Sequence, residues 1–148
     1  MKKAFIPPFV MLYCLIGIVA IYFLIPEYKI LHFPFNLVGG FFIIMLGFSL
    51  AGRARMAFKE HNTTVKFEES SALVTDGIFA KSRNPMYLGM FCFLIGFAVF
   101  FRNAFGFIMP MLFIGYISIF VIPYEEKKNT ETFGDEYLAY KRKVRRFF

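Results

Sequence analysis

A chain of 148 residues is short enough for one domain, but 58% hydrophobic and 21% aromatic content, with 23 Phe, is more apolar surface than a soluble core of that size can hide. The net charge of +7 accompanies this composition and so points to anionic lipid headgroups as partners, not to nucleic acid. Cys14 and Cys92 each lie inside an apolar run without paired or ligand-type spacing, which speaks against a disulfide framework or a zinc site.

A bilayer solvates apolar side chains but leaves free backbone groups unsatisfied, so the sequence predicts an all-α integral membrane protein. Four apolar segments run from charge to charge: 4–25, 30–51, 86–101 and 104–124. None contains Asp, Glu, Lys or Arg. The first follows Met1-Lys2-Lys3 in the manner of a signal peptide, but no small-residue cleavage site comes after it, and it reads as the first span. The third has only 16 residues and is separated from the fourth by Arg102 and Asn103 alone, so these two segments predict a tight helical hairpin. Gly40 with Gly47, and Gly89 with Gly96, recur seven apart, a spacing that suits close helix packing.

Of the 17 Lys and Arg residues, all but Lys29 and Arg102 precede the first span, lie between the second and third, or follow the fourth. Positive charge is retained on the cytoplasmic side, which predicts a cytoplasmic membrane protein with both termini and the central loop, 52–85, in the cytoplasm. In the tail, 125–148, Phe133-Gly134-Asp135 reads as a break and a new N-cap, after which Tyr137, Tyr140, Val144 and Phe148 recur at helical spacing. That pattern predicts an amphipathic helix in the headgroup region.

The central loop carries more specific polar punctuation than a connector needs. Asn84-Pro85 has the form of an N-cap and first-turn proline for the third helix, and a helix start at a membrane surface also offers N–H groups to a carboxylate or phosphate. Glu125 and Glu126 stand at the end of the fourth span, where the surface potential favours cations. They serve either as partners of nearby Lys and Arg or as a site for a cation or sugar hydroxyls. His61 is a lone histidine with no second ligand near it in sequence, so no metal is expected. Arg83, Glu126 and His61 are the candidates for a direct part in chemistry, since no nucleophile and base stand at a recognisable spacing.

Taken together, Leu73-Val74-Thr75-Asp76-Gly77-Ile78-Phe79, Arg83-Asn84-Pro85-Met86-Tyr87-Leu88-Gly89, Glu125-Glu126 and Phe133-Gly134-Asp135-Glu136-Tyr137-Leu138-Ala139-Tyr140-Lys141 resemble the isoprenylcysteine carboxyl methyltransferase family. The phospholipid methyltransferases are similar in sharing the Asn-Pro-Met-Tyr variant. The resemblance runs from about His61 to Arg146 and rests on the order and spacing of four blocks. It implies a single membrane domain over 1–148 that uses S-adenosylmethionine on a lipophilic acceptor. The implied cofactor contacts are Thr64, Ser71, Ala72, Leu73, Val74, Phe79, Asn84, Pro85, Met86, Tyr87 and Glu125. Asn84 stands where the eukaryotic carboxyl methyltransferases have His, Phe79 where they have Tyr, and Thr64 where they have Gln. Val121 takes the place of an arginine assigned there to substrate. These departures leave the cofactor reading in place and detach the prenylcysteine substrate from it. The competing expectation is a non-enzymatic scaffold or transporter subunit; a transporter calls for charged residues within its spans, and a scaffold predicts no stabilisation by cofactor.

Overall fold

The computed structural model describes residues 6–61 and 72–147. These form an all-helical, integral membrane architecture. Helix α1 covers Pro7–Leu24, α2 Phe35–Glu60 and α3 Pro85–Phe101; α4, Ile108–Tyr116, runs through a π-helical turn at Ile117–Val121 into α5, Ile122–Lys143. Short 3-10 turns at Gly77–Ala80 and Ala104–Phe107 precede α3 and α4. Three of these helices, the first, the second and the composite from Ala104 onward, are long and apolar enough to cross a membrane, while α3 is the shorter apolar helix that the sequence predicts. Large apolar side chains such as Phe23, Phe42, Leu46 and Phe120 point outward, where acyl chains solvate them at no cost.

The boundaries differ from the hydropathy segments for local reasons. Pro34 delays the start of α2 to Phe35. The same helix continues past the expected end at Ala51 to Glu60, because 52–60 has no helix breaker after Gly52 and charges there need only water. Pro7 and Pro8 open α1, where a missing N–H costs nothing. Pro123 lacks the N–H that would bond to the Ile119 carbonyl, and the widened π turn directly before it accommodates that loss of register.

Helix α2 packs chiefly on α3 along the glycine seam. A Cβ on Gly47 would lie 2.7 Å from the Gly89 carbonyl oxygen, and one on Gly96 would lie 2.7 Å from the Ile44 nitrogen. The predicted close packing is therefore backbone on backbone. On its other side α3 joins α1 and α4 around a core of Cys14, Ile18, Leu94, Ala98, Phe113, Ile117, Val121 and Ile122. At the end remote from the long loop, Arg102 adopts a left-handed conformation (φ 52) and turns the α3–α4 hairpin. Asn103 donates to the Ile25 carbonyl there, and Ile30 N donates to Arg102 O at 3.0 Å, so the two connections on that face are zipped together.

At the charged end the chain folds back on itself. The expected break falls at Gly134, whose φ of 53 and ψ of −129 interrupt α5. The helix beyond it is amphipathic, as expected, but Tyr137 and Tyr140 are buried within the protein and not presented to headgroups. The Tyr140 hydroxyl donates to the Phe79 carbonyl at 2.7 Å, which ties this segment to the 3-10 turn. Ala54, Ala57, Val74 and Phe79, with Phe58, Ile78 and Met86 against them, form a second small core at this end.

Candidate functional site

The second core forms one wall of a cleft enclosing about 490 Å³, including its mouth. Ala72, Leu73, Val74 and Phe79 line it from the loop, Arg83 and Asn84 from the approach to α3, and Glu125 and Glu126 from α5. With Phe133, Tyr137 and Tyr140 from beyond the acidic pair, four separated sequence blocks meet at one place. Its lining is mostly apolar with a few charged groups, the composition of a small-molecule site.

The adjacent glutamates have different environments. Glu125, just past the apolar span, is 8% exposed and accepts a hydrogen bond from the Tyr87 hydroxyl on Oε1. Its Oε2 is buried with no hydrogen-bond partner among the described residues. Burial pushes its pKa up to about 7, against the lowering effect of the Tyr87 bond. Glu126 is also buried, but three cations surround it. Arg83 Nη1 and Lys141 Nζ each lie 2.8 Å from its oxygens, and Arg146 adds bonds of 3.0 and 3.2 Å. Burial opposes its charge, yet the hydrogen bonds from Arg146 and Lys141 and the charges of Arg83 and Arg146 prevail and hold its pKa below the ordinary value. Glu126 and Arg83 are engaged in a buried knot, whereas Glu125 has an oxygen to spare.

Asn84 occupies the predicted position ahead of α3 but does not cap it with its side chain. Its Nδ2 instead donates to the Arg146 carbonyl at 3.0 Å, joined there by Ser82 Oγ at 3.1 Å. The first turn of α3 consequently keeps N–H groups without a side-chain cap. Pro85 is buried beneath this turn, Met86 packs into the second core, and Tyr87 is half-buried beside Glu125. Thr64 and Ser71 lie outside the described residues.

His61 is placed elsewhere. It ends α2, with Nδ1 2.9 Å from the Ala57 carbonyl and Nε2 3.6 Å from Asp76 Oδ1, and it does not line the cleft. Val121 is likewise absent from the lining, being 1% exposed in the core. No group of three or more His, Cys, Asp or Glu suited to a metal occurs among the described residues.

Five lining residues are absent from the sequence-based set: Phe58, Asn129, Phe133, Tyr137 and Tyr140. Glu125, Asn129 and Phe133 follow one another at four-residue intervals, so a helix continued through the acidic pair would have revealed the first two of the α5 positions. Tyr137 and Tyr140 arrive only through the reversal at Gly134. Phe58 stands edge-on to Phe79 with ring centroids 5.0 Å apart, on the part of α2 beyond the expected span.

Comparison with known proteins bears on the same residues. The phospholipid methyltransferase family model matches residues 35–136, a stretch that includes α2, α3 and every lining residue of the cleft except Tyr137 and Tyr140. The chain is 33% identical over 84 residues to the protein-S-isoprenylcysteine O-methyltransferase of Saccharomyces cerevisiae, covering 57% of this chain and 35% of that protein. It thus spans about a third of the length of this relative. An uncharacterized protein of Haemophilus influenzae is 37% identical over 62 residues, which is 42% of this chain and 98% of the other.

Proposed function

The chain belongs to the phospholipid methyltransferase family, and on that footing we propose that it transfers a methyl group from S-adenosylmethionine to a lipophilic acceptor at the cytoplasmic face of the membrane. The observation that carries this reading is the buried Glu125 Oε2, a carboxylate oxygen without a hydrogen-bond partner among the described residues, beside an aromatic cleft. A buried acceptor left open is costly unless a ligand donor completes it.

The cleft fits the methyl donor in its chemistry. Glu125 would accept from ribose hydroxyls or from the donor's ammonium, while the rings of Phe58, Phe79 and Phe133 offer apolar faces to the adenine and the sulfonium. The uncapped turn at Asn84-Pro85-Met86 and the nearby Arg83 suit the carboxylate. When bound, the donor would supply an electrophilic methyl group, open to in-line attack by the acceptor's electron pair, with the C–S bond electrons leaving on S-adenosylhomocysteine. Such a reaction asks the protein for orientation and exclusion of water, not for a covalent nucleophile. Tyr87 fixes Glu125, and the glutamate knot holds Arg83 and Asn84 in place around it.

We take residues 1–148 as one methyltransferase unit with its basic end, both termini included, in the cytoplasm. The donor then enters from water and the acceptor from the lipid, with anionic headgroups drawn to the surrounding Lys and Arg. Isothermal titration of the purified protein with S-adenosylhomocysteine tests this reading. Binding is expected for the wild type and is lost in Glu125→Ala; unchanged binding by the variant would remove the assignment of that carboxylate. Membranes incubated with methyl-labelled donor would then carry label in a lipid-soluble product, and base lability of the label would distinguish an ester from an N- or S-methyl product.

A further inference from the structure

Glu126 and Lys141 stand fifteen positions apart, about 22 Å along an uninterrupted α-helix. Their charged groups are nevertheless 2.8 Å apart, because the chain reverses at Gly134. Arg146, beyond the end of α5, completes the reversal with Nε 3.0 Å from Glu126 Oε1 and Nη2 3.2 Å from Oε2. Its carbonyl oxygen meanwhile accepts from Ser82 Oγ and Asn84 Nδ2, and the neighbouring Arg145 carbonyl accepts from Arg83 N at 3.0 Å. One residue is therefore bonded through its side chain to α5 and through its main chain to the strand of residues that leads into α3.

Those two elements are both walls of the cleft, one lining it with Arg83 and Asn84, the other with Glu125 and Glu126. We propose that Arg146 is a positioning residue for the methyl-donor site, cross-linking the two walls at the separation that the donor spans. This inference rests on the methyltransferase reading above. The Arg146 side chain is 42% exposed, so little packing depends on it. Removing it leaves Glu126 paired with Arg83 and Lys141, and the buried charges stay compensated. What disappears is the bidentate tie from the 144–147 segment to Glu126, which leaves Arg83–Glu126 and Tyr87–Glu125 as the contacts joining the two walls and lowers the preorganisation of the site.

Titration of S-adenosylhomocysteine into the detergent-solubilised full chain compares wild type with Arg146→Ala, Arg146→Lys and Arg142→Ala. Arg142 is an exposed residue on the last turn of α5, four positions before Arg146, and serves as the charge-matched control. Arg146→Ala is expected to weaken binding about tenfold while its unliganded unfolding temperature stays near that of wild type, and Arg146→Lys to recover part of the affinity. Arg142→Ala is expected to bind as wild type does. Equal affinity in Arg146→Ala and wild type would overturn the proposal, as would an equal loss in Arg142→Ala. Should Arg146→Ala not fold, hydrogen exchange of the wild type decides: the ligand should slow exchange at 82–84 and 144–147 together, and unchanged exchange at 144–147 overturns the cross-link. A wild type that binds no S-adenosylhomocysteine is a different result, which removes the methyl-donor reading and this inference with it.

Discussion

Tyr87 donates its hydroxyl hydrogen to Oε1 of Glu125, and by doing so selects which oxygen of that carboxylate is left without a hydrogen-bond partner among the described residues. The bond reaches from the first turn of α3 to the first turn of α5, so the phenol also sets the height of the carboxylate between the helices.

With its pKa raised to about 7, Glu125 gains charge across the neutral range, and a charged acceptor binds hydroxyl and ammonium donors more strongly. Affinity for S-adenosylhomocysteine should therefore rise between about pH 6 and pH 8 and then level off. Glu125→Gln should bind weakly with no such rise. Tyr87→Phe removes the bond that lowers the pKa and should move the midpoint to higher pH. In the unliganded protein the sign is reversed. The folded state holds this proton more tightly than the unfolded chain, so stability is lost as pH rises from the ordinary carboxylate value of 4.5 through about 7. The difference in unfolding temperature between wild type and Glu125→Gln, followed over that window, measures it.

Neighbouring substitutions should separate the roles of the two glutamates. Glu126→Ala strands Arg83, whose side chain is only 9% exposed, and should cost about 3–5 kcal/mol in thermal or denaturant unfolding. Glu125→Ala removes an acid that burial already disfavours, and the unliganded protein should be no less stable for it. Because the Glu126 pKa is lowered on folding, its contribution is present above the ordinary carboxylate range and is lost as pH falls through the depressed value.

Gly134 combines a φ of 53 with a ψ of −129, a conformation that residues with a Cβ avoid. Gly134→Ala should cost about 1–3 kcal/mol and loosen the packing of Tyr140 on Phe79. Faster hydrogen exchange in residues 135–147, with α1–α3 unchanged, would mark the effect as local.

On the glycine seam the neighbouring helix leaves no room. Gly47→Ala puts a methyl group 2.7 Å from the Gly89 carbonyl oxygen and should lower stability in detergent by about 1–3 kcal/mol. Gly52→Ala, where a Cβ meets nothing within 4 Å, is the matched control and should be neutral or slightly stabilising.

Much of this arrangement is legible in the residues. Hydropathy places the starts of the four apolar helices to within five positions but not the ends of α2 and of the last helix, which run on into charged residues, and Arg102-Asn103 marks a hairpin because two residues leave no other connection. The motif blocks name most of the cleft, since Asn84 and Glu125 owe their meeting to elements that the pattern identifies separately. Contacts created by the reversal at Gly134 are not legible. Periodicity puts Tyr137 and Tyr140 on one face of a helix but does not say that protein, and not lipid, covers it. The division of labour between Glu125 and Glu126 is equally hidden, because it depends on Lys141 and Arg146 returning from fifteen and twenty residues away. Asn84 has the form of a cap, yet its Nδ2 donates to the Arg146 carbonyl and its side-chain oxygen caps no N–H of the helix.

The overlong α2 has a consequence for the acceptor. Its turns from Arg53 to Glu60 add about 12 Å of helix above the last apolar turn, and Phe58 rides on that projection. On the proposed orientation the cleft would stand like a bench beside a pool, beyond the apolar turns of α2 and nearer to headgroups than to acyl chains. A molecule whose reactive atom lies at mid-bilayer depth would have to climb to meet it, whereas one that floats with its tail submerged and its head dry already presents that atom at working height.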